Sequence, residues 1–226
     1  LWRRIAEADT VIIETDIGSS DAAMMKRFMV LPPGVDLAKL FGKTYWTKFY
    51  DIVKHSDSPI PESQLKTITP LAAGVLLLQS QAKPEDDKQE GQLSIDQVIF
   101  EKAKALGKNT LTLETNEEQL GYLKDVFTID ALKKMLDDWE DESSSYDTMK
   151  EAYKHGDSKA LDGLLDEVPK EIRASLLDAR NQNWIRELPR LTSKKHTLIA
   201  VGAAHYAGPQ GLLKLLEQQG YKIRPL

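Results

Sequence analysis

The sequence predicts an α/β fold: a small, mostly parallel central sheet flanked by helices, with a helix-rich insertion before the last strand pair. Three observations carry this. Val11-Ile12-Ile13 is a continuous run of β-branched apolar residues, the pattern of a central strand covered on both faces. Asn109-Thr110-Leu111-Thr112-Leu113 and His196-Thr197-Leu198-Ile199-Ala200-Val201 are two further strand-like runs, set apart by stretches of helical spacing as in parallel strands joined by crossovers. Residues 128–190 show helical spacing and no strand signal.

The elements follow in chain order. Residues 1–8 read as the middle or end of an amphipathic helix, with Leu1, Ile5 and Ala8 on one face. The chain is therefore expected to start inside an element, as an N-terminally truncated single domain over residues 1–226 with residues 128–190 as its helical insertion. The first strand ends in Glu14-Thr15-Asp16, where Glu14 and Asp16 share a pleat face. Residues 21–30 form a short helix whose Met24, Met25 and Met29 read as gap-filling core. Pro32-Pro33-Gly34 is a loop. Residues 37–41 and 44–55 are aromatic-rich, and the second has helical spacing that places it over the core, with His55 in its polar tail. Pro59 and Pro61 break the chain, and Pro70 opens an apolar helix to residue 79 whose 71–78 run reads as buried. Residues 83–91 are a charged loop. Ser94, with Gln97 three residues on, caps a helix closed by Gly107. The second strand ends in Glu114, and Thr115 or Asn116 caps the helix that follows. Residues 137–142 are an acidic run read as a solvated helix end, because divalent-ion sites need oxygens converging from several positions. Residues 212–217 are a helix and 221–224 a final short strand.

Composition narrows the function. The chain has 226 residues, 41% hydrophobic and 29% charged, in the range of a globular protein with a real core. Its net charge of −5, without a basic stripe interleaved with aromatics, argues against nucleic acid as a partner. The absence of cysteine removes disulfides, thiolate metal sites and cysteine nucleophiles together. No apolar run approaches the ~20 residues of a transmembrane helix.

Chemistry is expected beyond the carboxyl ends of the strands, where ligands bind in open α/β sheets. Gly202-Ala203-Ala204-His205 falls there, between the last strand and its helix. Three readings compete for this loop. A phosphate loop fits badly, because the glycines match no phosphate-binding pattern. A metal or acid–base site would combine His205 with Glu14 and Glu114 arriving from other strand ends. A structural loop would use the glycines for a turn and His205 as a cap. Taken alone, Glu114, followed by Thr115-Asn116-Glu117, reads as a cap for the next helix. Arg180 and Asn181 are adjacent on one helix, ~100° apart, and can address one pocket, but taken alone Arg180 reads as a surface residue in helix ion pairs.

Taken in order, Val11–Asp16, the Leu-Glu-Thr block at residues 113–119, Ala-Arg-Asn-x-x-Trp at 179–184 and the Gly-x-x-His block at 201–221 resemble the TraB/PrgY/GumN family. That family is related to the Tiki proteases and, more distantly, to the erythromycin-esterase (EreA) and ChaN-like proteins. The resemblance implies an EreA/ChaN-like α/β fold with a helical insertion. It also implies a metal-dependent hydrolase, a peptidase using Mn or Co, with two Gly-x-x-His motifs. Matched residue by residue, the catalytic set is Glu14, Arg180, Asn181 and His205, with His205 and Glu14 as metal ligands and Gly202, Glu114 and Gln119 as binding residues. The family's first Gly-x-x-His is expected before Leu1. The alternative implied by PrgY-like relatives is a non-catalytic periplasmic or cell-surface protein that binds a peptide, haem or another small ligand. Family habit implies a periplasmic or secreted location.

Overall fold

The computed structural model describes residues 1–16, 21–55, 60–81, 94–192 and 196–224; the side chains of residues 140–146, 158, 161, 164, 166 and 167 are not among those described. Its elements run α1 (Trp2–Glu7), β1 (Thr10–Ile13), α2 (Ala22–Met29), α3 (Leu37–Phe41), α4 (Lys43–Val53), α5 (Glu62–Leu65), α6 (Pro70–Gln81) and α7 (Ile95–Ala105). They continue through β2 (Asn109–Thr112), α8 (Asn116–Val126), α9 (Ile129–Asp137), α10 (Trp139–His155), α11 (Ser158–Glu167) and α12 (Lys170–Arg173). A π turn (Ala174–Asp178) leads into α13 (Ala179–Thr192), and β3 (Thr197–Ile199), a 3₁₀ turn (Ala203–Tyr206) and α14 (Leu212–Gln218) complete the chain. The architecture is α/β. The chain divides into two compact units, residues 1–19, 93–119 and 149–226 in one, residues 20–92 and 120–148 in the other.

The first unit holds a parallel three-stranded sheet in the order β2-β1-β3. The most apolar strand is the central one. All four residues of β1 are buried, because both edges are paired and both faces are covered. One face packs Val11 and Ile13 with Ile5 of α1 and Ile99, Phe100 and Ala103 of α7. A separate cluster joins Ile199 to Ile185 and Leu188 of α13 and Leu215 of α14. Pairing runs past the strand ends. The Glu14 carbonyl accepts from the N–H groups of Leu113 and Glu114 at 3.1 and 3.0 Å, which sets Glu14 and Glu114 side by side at the carboxyl edge.

The expected fourth strand at residues 221–224 does not form. Gly220 is left-handed (φ 88°) and the Tyr221 N–H donates to the Leu216 carbonyl at 3.0 Å, so this backbone closes the end of α14, and residues 221–224 are exposed.

The second unit is helical, built around Leu37, Phe41, Phe49, Leu71, Leu77 and Leu132. The rings of Phe41 and Phe49 meet at 5.5 Å, as the aromatic spacing of α4 leads one to expect. The apolar run of α6 is largely buried as expected, with Leu71, Ala73, Gly74 and Leu77 in the core, Val75 and Leu76 packed against it and Leu78 47% exposed. One expectation changes. Of the methionines of α2, only Met29 packs against this core. The charged stretch 83–91 and residues 56–59 lie outside the described residues, as do the side chains of 140–142 in the acidic run.

Candidate active site

The carboxyl ends of β1, β2 and β3 and one helix, α13, converge in the first unit. Glu14 follows β1, Glu114 follows β2, Gly202 and His205 follow β3, and α13 brings Arg180, Asn181 and Trp184. The π turn immediately before α13 sets the phase of that helix, and Ala179 N–H donates to the Ala174 carbonyl across five residues. Arg180, Asn181 and Trp184 then fall on its buried side at 7%, 1% and 1% exposure.

Arg180 is the hub. Its Nε and Nη2 donate to the Glu114 carboxylate at 3.0 and 2.6 Å, a two-pronged pairing. Nη2 also donates to Glu14 Oε2 at 2.7 Å and Nη1 to the Leu176 carbonyl at 3.0 Å. The guanidinium lies 4.8 Å from the Trp184 ring centroid, and Trp184 Nε1–H donates to Glu114 Oε2 at 3.2 Å. Burial pushes the Glu114 carboxyl up, and the hydrogen bonds from Arg180 and Trp184 work against that rise. Burial also disfavours the Arg180 cation, but its bonds to Glu114 and the charge of Glu14 outweigh this and raise its pKa. Glu114 therefore is not a helix cap. Thr115 and Glu118 do the capping as a reciprocal pair, with Glu118 N–H donating to Thr115 Oγ1 at 3.2 Å and Thr115 N–H to Glu118 Oε2 at 2.8 Å.

Glu14 is held from three sides. Oε1 accepts from Gly202 N–H at 2.6 Å, and Oε2 accepts from Arg180 and, at 3.3 Å, from Gln119 Nε2. The Gly-x-x-His spacing has a steric reason here. A Cβ on Gly202 would stand 3.3 Å from Glu14 Oε1 and 3.8 Å from His205 Cδ2, so glycine lets the backbone N–H approach the carboxylate.

His205 is 3% exposed and packs against Trp184 with ring centroids 4.4 Å apart. Asn181 Nδ2 donates to the carbonyls of His205 and Gln210 at 3.2 and 2.9 Å, which fixes the direction of its amide. Asn181 Oδ1 must then accept, so His205 Nδ1, 2.7 Å away, carries the ring proton. Burial lowers the His205 pKa to about 4; the Glu14 charge opposes that fall and the Arg180 charge adds to it. At neutral pH the ring is uncharged with its lone pair on Nε2, 3.9 Å from Glu14 Oε1. No fully buried side-chain nitrogen or oxygen among the described residues lacks a partner. Nε2, which has no hydrogen bond there, is thus the edge of the ring that reaches solvent.

All seven residues singled out from the sequence, Glu14, Glu114, Gln119, Arg180, Asn181, Gly202 and His205, meet in this one network. Two neighbours were given no role from the sequence. Trp184 closed the Ala-Arg-Asn-x-x-Trp block, four residues beyond Arg180, where helical spacing puts it on the same face. Asp96, in the first turn of α7, is half-buried, and burial followed by the Glu14 charge raises its carboxyl pKa. Nothing local marks it as more than a residue beside a helix cap. Among the described residues, no three or more His, Asp or Glu side chains form a metal-holding group. No described helix is long and apolar enough to cross a membrane.

An α/β protein with a carboxylate–guanidinium–imidazole cluster at its strand ends is thus defined by fold and site. The TraB/PrgY/gumN family model matches residues 2–225, and the chain belongs to this family. A protein of Amphimedon queenslandica called a metalloprotease TIKI homolog is 24% identical to it over 184 residues, which cover 67% of this chain and 36% of that protein. The chain therefore spans little more than a third of that relative's length. No solved structure matches the chain.

Proposed function

We propose that Glu14 and His205 form the working centre of a metal-assisted hydrolase that cleaves peptide bonds. The observation that carries this is the neutral, Asn181-oriented His205 with its free Nε2 edge 3.9 Å from Glu14 Oε1. The metalloprotease name of the Amphimedon queenslandica relative supports the reaction class.

The donors suit a divalent ion in kind. One is a neutral imidazole nitrogen whose other nitrogen is hydrogen-bonded, as ligating histidines are, and the other is a carboxylate oxygen. They number two among the described residues, Glu14 and His205. An ion such as Mn or Co held there would supply Lewis acidity and acidify a water. The Nδ1–H held by Asn181 and the lowered pKa favour the ligand role for His205 over the role of base. A base of pKa about 4 is poorly matched to proton abstraction at neutral pH, whereas an uncharged imidazole is the form a metal takes. Arg180 and Asn181 act as positioning residues: the guanidinium fixes Glu14 and balances the two carboxylates, and Asn181 fixes the imidazole. Gln119, Glu114 and Gly202 hold Glu14 and Arg180 in place.

A second reading, a non-catalytic protein binding a peptide, haem or small ligand, is favoured by one observation: both oxygens of Glu14 are already engaged. Metal content by emission spectroscopy, with cleavage of internally quenched peptides, separates the two. The hydrolase reading expects stoichiometric Mn or Co and cleavage, both lost in Glu14→Ala and His205→Ala. Peptide or haem retention by metal-free protein, without cleavage, overturns it. The same reading takes residues 1–226 as one family domain with 128–190 as its helical insertion, working in the periplasm or outside the cell, which cell fractionation tests.

A further inference from the structure

The second unit contains a cavity of about 720 Å³, lined wholly by its own residues. That volume lies inside the ~300–1,000 Å³ of sites for small molecules. Its apolar wall comes from Phe28, Val30, Leu31, Leu71 and Phe127, and Val30 is 40% exposed. Three cations, Lys26, Arg27 and Lys124, border the cavity and, among the described residues, no carboxylate does, in a chain of net charge −5. Lys26 and Lys124 form no ion pair among the described residues. The Arg27 guanidinium lies 5.2 Å from the Phe28 ring centroid.

The wall offers few other polar contacts. Its neutral polar side chains are Thr69 and Thr128. The Thr69 hydroxyl donates to the Phe28 carbonyl at 2.7 Å, and the Thr128 hydroxyl accepts from Ala131 N–H at 3.2 Å. Pro32, Pro33 and Pro70 have no N–H to give. The N–H groups of Val30 and Leu31 donate to the carbonyls of Lys26 and Thr67 at 3.0 and 2.7 Å. A peptide or a sugar entering here would bury amides or hydroxyls with few partners, which opposes binding. A hydrocarbon chain ending in one anion needs only what is present.

We propose that this cavity binds a single-chain fatty acid, its tail against the Phe28–Phe127 wall and its carboxylate on Lys26 and Lys124. The site is separate from the hydrolase reading and stands or falls independently of it. The test is displacement of a fluorescent fatty acid from the full chain by laurate, decanoate and octanoate, each below its micelle concentration, alongside dodecanol and an uncharged apolar peptide. Laurate is expected to bind saturably at one site, with affinity falling roughly tenfold for each two methylenes removed. Dodecanol is expected to bind about tenfold more weakly than laurate. The double variant Lys26→Glu/Lys124→Glu, both positions exposed, is expected to weaken laurate by at least as much, to leave dodecanol nearly unchanged and to unfold as cooperatively as the wild type, with the small fall in Tm that an acid in the last turn of a helix brings. Absence of saturable binding, equal affinity for acid and alcohol, laurate binding that survives the double substitution, or displacement by the peptide ahead of laurate each overturns the proposal.

Discussion

Asn181 grips His205 at both ends: Oδ1 accepts from ring Nδ1–H at 2.7 Å while Nδ2 donates to the carbonyl of the same residue at 3.2 Å. The side chain thereby fixes the backbone position and the proton of one imidazole together. Asn181→Asp keeps the acceptor, loses both donors and sets a negative charge against the ring. Its expected outcome is a His205 pKa above the wild-type value of about 4, read from the histidine resonances in an NMR titration. Asn181→Leu removes the acceptor, and nitrogen shifts should then report loss of the Nδ1–H tautomer.

The lowered His205 pKa makes stability depend on pH. Between about 4 in the folded protein and about 6.5 in the unfolded chain, the unfolded state binds more protons, so stability is complete above pH 6.5 and falls as pH drops toward 4. The shift corresponds to about 3 kcal/mol. Urea unfolding at pH 7 and pH 4 should show wild type losing about that much more than His205→Gln. Glu114, whose carboxyl is raised, acts in the opposite sense on acidification, and the comparison with His205→Gln cancels it.

Arg180→Leu strands Glu114 in a buried position and should cost about 3–5 kcal/mol in denaturant unfolding. Arg180→Lys keeps the charge but not the fork that reaches Glu114 through two nitrogens, and an intermediate loss is expected. Equal stability of wild type and Arg180→Lys would mean that the two-pronged geometry contributes nothing.

Two glycines of one loop should respond differently to alanine. At Gly211 an added Cβ meets the backbone carbonyls of Tyr206 and Ala207, which cannot step aside cheaply, and a loss of about 1–3 kcal/mol is expected. At Gly202 the nearest atom is a side-chain oxygen, Glu14 Oε1 at 3.3 Å, so stability should change by less than about 1 kcal/mol. The Gly202 N–H bond to Glu14 should lengthen instead, and on the hydrolase reading calorimetry with Mn should then show weaker binding than to the wild type. A Gly202→Ala protein as destabilised as Gly211→Ala would contradict this contrast.

Much of the first unit was legible because its signals are local. The β-branched run at residues 11–13 marks a doubly covered strand, and Ser94 with Gln97 marks the start of a helix. The false strand at 221–224 shows the limit of such signals, since its apolar alternation carries no information on whether Gly220 will turn the backbone back onto α14. For the site, single residues pointed the wrong way. Glu114 read as a cap and Arg180 as a surface cation, because the pairing of each depends on a residue 66 positions away. Order along the whole chain, rather than any local pattern, brought them together. The Asn181–His205 bond and the proximity of Asp96 to Glu14 have no local signature, and only the fold creates them.

The π turn before α13 makes this helix sensitive to deletion. Removing one residue from Ala174–Asp178 would restore a regular α-helix and turn its two halves against each other by ~100° with a ~1.5 Å slide. Downstream, Glu114 and the His205 loop hold Arg180, Asn181 and Trp184 in place. Upstream, beyond the break at Val168 and Pro169, Asp162 of the separate helix α11 accepts from Gly208 N–H at 2.9 Å and reaches that same loop. The loop that carries His205 is thus met by groups from both sides of the π turn, and a lost codon there would shift one set of contacts against the other.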